Sequence, residues 1–182
     1  DLHIDYWFSN KNALGYHITN LLLHITNTWL VFIFSKLLFT KFVIDKTNFL
    51  PILISVFFFT YPFHSESVFW IIGRSGSLGS LFFLVALIGF LKKEQSFFYT
   101  ILSLVFFELA LLSYESSWIF PLVILIFVLA DGTVQSVKKQ SIYLFMVIVL
   151  FVAHLFVRFS STGELMNNYD AASFVQLNFH IL

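Results

Sequence analysis

The sequence predicts an all-α fold, a polytopic bundle of about six transmembrane helices, and three observations support this. Of its 182 residues, 59% are hydrophobic and only 11% are charged. The mean hydropathy is +0.89. The long runs of Leu, Ile, Val and Phe are apolar on every side, whereas a helix at the surface of a soluble protein keeps a polar face. We therefore expect an integral membrane protein.

Six apolar runs account for this expectation, and each is bounded by charged or polar residues. In chain order they are 21–39, 49–63, 78–91, 97–112, 118–130 and 142–159. Several are shorter than the ~20 residues of a full span, so we expect some helices to extend into their polar flanks or to tilt.

The domain organisation follows from these runs. We expect one membrane domain over residues 1–182, with an external loop at 1–15, six helices within 16–159 and a second external loop at 160–182. The sequence starts at Asp1 inside the expected loop, without a basic leader, so we expect a piece of a longer chain.

Lysine placement gives the predicted orientation. Groups of lysines follow the first, third and fifth runs: Lys36, Lys41, Lys46, Lys92, Lys93, Lys138 and Lys139. With six crossings these groups share one face, which the positive-inside rule makes cytoplasmic.

Composition also excludes several classes of function. The chain has no cysteine, which excludes disulfides and thiolate zinc sites. A formal net charge of zero without a basic stripe argues against nucleic-acid binding.

A polar cluster between the second and third runs is the main candidate site. His64, Glu66 and Arg74 lie within eleven residues of one another, in a chain with few ionisable groups. Arg74, with the helix start after Gly73, predicts an anion contact, and Arg158 is a second candidate. Gly76 and Gly79 continue a three-residue repeat, which favours close helix packing, since no phosphate-loop lysine follows.

The first helix carries a polar stripe. His17, Asn20, His24 and Asn27 are spaced three, four and three residues apart, which places them on one helical face. One interpretation is hydrogen bonding between helices, and the other is a polar cavity open to the outside.

Two glutamates mark one face of the fourth helix. Glu108 lies inside an apolar run, where a carboxylate needs a partner, and we expect a neighbour such as His154. Glu115, seven residues later, is expected to reach the surface of His64 and Glu66. Near the start of the chain, Asp1, His3 and Asp5 alternate as metal ligands on a strand do.

Three segments of the chain resemble a known family. They are Gly15-Tyr16-His17-x-x-Asn20-Leu21-Leu22-Leu23-His24, then Pro62-x-His64-x-Glu66-x-Val68-x-Trp70-Ile71-x-Gly73-Arg74, then Leu111-Leu112-Ser113-x-Glu115. In order and spacing they resemble the membrane region of the transmembrane and tetratricopeptide-repeat O-mannosyltransferase family and its bacterial relatives, which have the GT-C fold. The resemblance covers roughly residues 1 to 131. Tyr61 and Tyr114 depart from it, standing where the family usually has His and Lys.

The resemblance implies transfer of a sugar, expected to be mannose, from a polyprenyl-phosphate carrier to an external acceptor such as a protein Ser or Thr hydroxyl or a glycan. A lipid-phosphate donor needs a cation and N–H donors at the rim of a membrane cavity. Residues expected to contact the donor are Arg74, Gly73, His17, His24 and Glu115. Catalytic candidates are Glu66, His64 and Asp5, with the family's principal acidic residue expected upstream. A divalent metal ion is an optional cofactor, with His64 and Glu66 as its candidate ligands.

Two other classes of function remain open. One is a transporter or flippase of a lipid-linked substrate, which would use His17, His24 and Glu108 as a polar path, although no internal repeat supports it. The other is a non-catalytic scaffold subunit. The chain's composition favours the bacterial inner membrane, with the endoplasmic reticulum as the eukaryotic alternative and the site on the extracytoplasmic face.

The absence of cysteine makes the predicted topology directly testable. In the full-length protein, with any cysteine outside these 182 residues replaced, we expect Ser65→Cys to react with a membrane-impermeant maleimide on intact cells or sealed vesicles, and Lys138→Cys to react only after permeabilisation. Labelling of Lys138→Cys from outside would contradict the predicted orientation.

Overall fold

The computed structural model describes residues 13–42, 47–61, 74–130 and 134–162. Within these ranges every regular element is a helix, so the predicted all-α membrane helix bundle is confirmed. The α-helices are α1 (Ala13–Lys41), α2 (Phe49–Thr60), α3 (Arg74–Lys92), α4 (Phe97–Ser113), α5 (Phe120–Ala130) and α6 (Val134–Thr162). A 3-10 helix, Glu115–Ile119, joins α4 to α5.

The six expected apolar segments correspond to these six helices, but their lengths differ. Among the described residues, three helices are long and apolar enough to cross a membrane: Leu14–Lys41, Arg74–Lys92 and Gln140–Ser161. Three shorter apolar helical segments accompany them: Phe49–Thr60, Phe97–Ser113 and Glu115–Ala130. As expected, α1, α3 and α6 extend into their polar flanks.

The second helix ends before its apolar run does. The run continues to Phe63, whereas α2 ends at Thr60 and Tyr61 is extended. Tyr61 precedes Pro62, and a residue before proline disfavours the helical conformation. At the other end, Asn48 adopts the left-handed conformation, which asparagine tolerates better than most residues.

The α3–α4 hairpin is the most closely packed pair in the bundle. Ser96 caps α4 by accepting a hydrogen bond from the N–H of Phe98. Gly89 lets the two backbones approach, since a Cβ atom built on it would lie 3.0 Å from both the Cβ of Ser103 and the carbonyl oxygen of Tyr99. Ser103 donates to the carbonyl of Ala86 and accepts from the hydroxyl of Tyr143, which joins α6 to the hairpin.

The buried core lies among α3, α4, α5 and α6. Phe120 of α5 stacks on Phe107 of α4 with a 4.5 Å ring separation, and Phe83 of α3 meets it edge to face. Many large apolar side chains elsewhere are exposed, as expected for surfaces in contact with lipid.

The helices share a register that gathers lysines at one end. The amide of Asn27 bonds to Ser77, and Val31 and Ser80 line a common cavity farther along, so α1 and α3 run in the same direction. At 1.5 Å per residue, Lys41 lies about 21 Å beyond Asn27, and Lys92 about 22 Å beyond Ser77. These two lysines therefore lie at one level, which we call the lysine end.

We call the opposite end, where α3 begins and α4 and α6 end, the polar end. At the lysine end, Nζ of Lys93 lies 3.6 Å from the ring centroid of Phe90 and 4.9 Å from that of Tyr143, so the early part of α6 lies near this end. Which end faces the cytoplasm stays a prediction.

Two glycines of α3 form a matched test of this packing. Gly89→Ala should lower the free energy of unfolding by about 1–3 kcal/mol, because backbone atoms of α4 leave no room for a methyl group. Gly76→Ala should be neutral or stabilising, since its Cβ would meet its nearest neighbour at 4.0 Å. Thermal denaturation of the purified protein in detergent measures both, and equal effects would contradict the proposed close approach.

Candidate functional site

Several predicted site residues lie outside the described part of the chain. These are the catalytic candidates Asp5, His64 and Glu66, of which the last two are also the metal candidates, together with Gly73. Their roles stay predictions. The remaining candidates, His17, His24, Arg74 and Glu115, are described.

The polar stripe of α1 joins three helices. Asn27 donates from Nδ2 to the carbonyl of Ser77 on α3 at 2.9 Å. Nε2 of His24 lies 3.2 Å from the carbonyl oxygen of Phe59 on α2. His24, Asn27 and Asn20 are all buried. The interpretation as hydrogen bonding between helices is therefore confirmed for His24 and Asn27.

The opposite face of α1 is apolar and exposed, as the stripe predicts. Leu21, Leu22 and Ile25 have large exposed fractions. His17, nearer the start of α1, is half-buried, and its Nδ1 atom has no hydrogen-bond partner among the described residues. Whether His17 and His24 contact a donor stays a prediction.

Two charged or ionisable pairs join α6 to α4 and to the 3-10 helix that follows it. The prediction that Glu108 and Glu115 share the fourth helix is wrong, because the extended backbone of Tyr114 ends α4 at Ser113 and Glu115 begins the 3-10 helix. Nδ1 of His154 lies 2.7 Å from a carboxylate oxygen of Glu108, which is the partner that the sequence predicts. One level closer to the polar end, Arg158 donates to Glu115 and also lies over the ring of Trp118. Sequence reasoning missed the second pair, although the sequence carries a signal for it. Because α4 and α6 run in the same direction, the pairing of Glu108 with His154 makes residues that follow each of them, such as Glu115 and Arg158, candidates for a second pair.

The Arg158–Glu115 pair borders a cavity of about 420 Å³, which we call the polar cavity. Its lining residues are Ser75, Leu111, Leu112, Ser113, Tyr114, Glu115, Ser116 and Arg158. Ser75 belongs to the first turn of α3, directly after Arg74, so the N-terminal N–H groups of this helix lie beside the cavity. Arg158 also lines a second cavity of about 400 Å³, which runs along α4 and α6 past Glu108 and His154.

Two arginines and one carboxylate are described at the polar end, and Arg158 is paired with the carboxylate of Glu115. Arg74 and Arg158 are permanent cations, whereas Glu115 is the carboxylate that accompanies them. Hydroxyl groups of Ser75 and Ser116 add neutral donors. Within the described ranges, no three His, Asp or Glu side chains are grouped closely enough to hold a metal ion. Whether Arg74 and Glu115 contact a donor stays a prediction.

The Glu108–His154 pair lends itself to a double-mutant cycle. Glu108→Leu should lower the free energy of unfolding by about 1–3 kcal/mol, because it leaves the His154 imidazole without its carboxylate. The double variant with His154→Leu should recover part of the loss, since neither polar group then remains. Unfolding in mixed detergent micelles measures all three variants, and strictly additive losses would show that the two residues do not interact.

Comparison with known proteins gives partial matches to one group. The chain is 35% identical over 81 residues to human Protein O-mannosyl-transferase TMTC2, and to the mouse protein to the same extent. It is 27% identical over 110 residues to human Protein O-mannosyl-transferase TMTC3. These segments cover 44% and 59% of this chain, and only 9% and 11% of the human relatives. No family model and no solved structure matches. Together with its apolar helices, this similarity supports a membrane protein related in part to protein O-mannosyl-transferases.

Proposed function

We propose that this chain is part of a membrane glycosyltransferase, which transfers a sugar such as mannose from a polyprenyl-phosphate carrier to a protein Ser or Thr hydroxyl or a glycan. The observation that carries the proposal is the similarity to two protein O-mannosyl-transferases. The polar cavity supports it independently, because it offers Arg158 and the first turn of α3 to an anionic group at one end of a membrane bundle.

The proposed reaction is a displacement at the anomeric carbon of the sugar. The acceptor hydroxyl oxygen forms the new bond to that carbon, and the bond to the carrier's phosphate oxygen breaks. The phosphate leaves with the electron pair, and a carboxylate takes the hydroxyl proton. Arg74, with the N–H groups that follow it, stabilises the negative charge on the phosphate.

The base belongs to parts of the chain outside the described residues. Glu66, assisted by His64, and Asp5 are the candidates in this sequence, and the family resemblance places the principal acidic residue farther upstream. A divalent metal ion at His64 and Glu66 would assist departure of the phosphate in the same way as Arg74. His17, His24 and Gly73 complete the proposed donor contacts.

Location and topology are part of the same proposal. A lipid-borne donor requires a membrane, and the lysine end is proposed to face the cytoplasm, which places the polar cavity on the extracytoplasmic side. The bacterial inner membrane and the endoplasmic reticulum both satisfy this arrangement. The GT-C fold is proposed on the resemblance alone.

Arg74 gives the sharpest test of the proposed donor site. In the full-length protein, Arg74→Ala should weaken donor binding by about 1.5–3 kcal/mol, the scale of a charge-assisted hydrogen bond. Arg74→Lys should recover part of the loss, because an ammonium group lacks the planar fork of the guanidinium. Lys36→Ala, an exposed cation toward the lysine end, is the control and should leave donor binding unchanged.

The assay is transfer from a radiolabelled polyprenyl-phosphate sugar in membranes, with donor affinity measured alongside. Glu66→Gln should lower turnover more than donor affinity if this carboxylate takes part in the reaction. Unchanged affinity and turnover in both Arg74→Ala and Glu66→Gln would remove this cluster from the active site and favour the scaffold alternative. Absence of sugar transfer by the wild-type protein, together with translocation of the lipid-linked substrate that these variants lose, would favour a flippase.

A further inference from the structure

The cavity of about 400 Å³ between α4 and α6 has no part in the proposed reaction, and we call it the α4–α6 groove. One face of each helix forms its walls. On α6 these residues are separated by three or four positions, which places them on one side of the helix. Among the lining residues are Glu108 and Leu112 of α4, and Leu150, Ala153, His154 and Val157 of α6.

The rim of the groove is apolar and open. Leu112 is 69% exposed and Val157 is 62% exposed, and Ala153 is exposed as well. In a membrane, such side chains face either lipid or another protein segment. Because Ala153 is small, a further helix could approach α6 closely at this point, as small residues allow at helix contacts in membranes.

The interior of the groove holds a carboxylate that lacks hydrogen-bond donors. Nδ1 of His154 lies 2.7 Å from Oε1 of Glu108, whereas Oε2 of Glu108 has no hydrogen-bond partner among the described residues. A carboxylate offers about four acceptor positions, so one imidazole leaves most of them unused. The Glu108 side chain remains 34% exposed, and the torsion that turns its carboxylate is soft, so either oxygen can turn toward the groove.

The depth of this carboxylate limits what can cover it. At 1.5 Å per residue, Glu108 lies about 8 Å from the end of α4, and His154 about 12 Å from the end of α6. The polar interfacial layer of a bilayer is about 5–8 Å thick on each side, so lipid beside Glu108 would be acyl chain. An acyl chain has no hydrogen-bond donor, and a carboxylate exposed to it is energetically expensive.

We propose that the α4–α6 groove is the docking surface for a further transmembrane helix of the same full-length polypeptide, and that this helix presents a side-chain N–H or O–H donor to Glu108. Such a helix covers the apolar rim and also supplies the donor. Lipid would do only the first, and water only the second. Asn, Gln, Ser, Thr and Lys provide suitable donors. The inference does not depend on the proposed function.

The same polypeptide is the source to which we assign this helix. The matched segments make up only 9% and 11% of the two human relatives, so those proteins contain far more chain than the bundle described for this one. A helix from elsewhere in the full-length protein is therefore the occupant that needs no additional partner.

The test compares two valines of α6 that are similarly exposed in the described bundle. Val157 lines the groove, whereas Val152, which is 57% exposed, lies roughly 140° away around the helix. In the full-length protein, with any other cysteine replaced, Val157→Cys or Val152→Cys carries a nitroxide spin label in nanodiscs that hold one copy each. We expect the label of Val157→Cys to be immobilised and to collide at least about threefold less often with O₂, which concentrates in lipid.

Three results would overturn the inference. Equal collision rates with O₂ at the two positions, whether high or low, would show that the groove is no more covered than the opposite side of α6. Frequent collision of the Val157→Cys label with a water-soluble nickel chelate would show that water fills the groove. Protection that appears only in nanodiscs with two copies would assign the groove to a second copy of the protein.

The double variant Glu108→Leu/His154→Leu tests the hydrogen-bond donor. It leaves neither polar group unpaired, and it should raise the O₂ collision rate of the Val157→Cys label by about twofold or more, because the docked helix loses its acceptor. The Val152→Cys label should not change. Glu108→Gln is the matched control, since it keeps an acceptor oxygen and should preserve the protection.

Two outcomes of this second arm would overturn the role of Glu108. An unchanged Val157→Cys label in the double variant would show that the helix docks by apolar contact alone. An equal rise at Val157→Cys and Val152→Cys would show a general loosening of the bundle instead of release of one docked helix.

Discussion

In a hydrocarbon environment, polar side chains can bond only to other polar groups of the protein, including backbone carbonyls, and this constraint helps decide which helices of the bundle are neighbours. Asn27 reaches from α1 to the backbone of α3. Ser103 on α4 hydrogen-bonds both to Ala86 on α3 and to Tyr143 on α6. Glu108 on α4 hydrogen-bonds to His154 on α6. Apolar packing has little preference between lipid and protein, so these few directional contacts supply much of the specificity of the arrangement.

Sequence reasoning succeeded where a helical period or an energetic requirement was sufficient. The four-and-three spacing of Asn20, His24 and Asn27 predicted the buried face of α1 without any knowledge of its neighbours. The expense of a carboxylate in lipid predicted a partner for Glu108, and His154 was a suitable candidate because few ionisable residues lie within apolar runs. The three-residue repeat of glycines likewise indicated the close approach seen at Gly79.

The remaining features depend on which helices meet, and a single sequence carries little of that information. Arg158 pairs with Glu115 only because α6 lies against α4 at the level where both end. The close approach of Tyr114 to Gly79 needs both the 3-10 helix and the glycine face of α3. His64 and Glu66 belong to no helical period in the sequence, so the sequence predicts their chemistry but not their geometry.

The shortness of α2 has a consequence for the surrounding lipid. Its 12 residues rise only about 18 Å, against a hydrocarbon thickness of about 30 Å. A bilayer accommodates such mismatch by thinning locally, at a cost of a fraction of a kcal/mol per Å. Next to α2, which contributes Phe58 to the cavity lined by Val31 and Ser80, head groups would then sit deeper than elsewhere around the bundle. A locally thinner bilayer would therefore bring lipid head groups closer to the level of the cavities, while the lipid itself remains in the membrane.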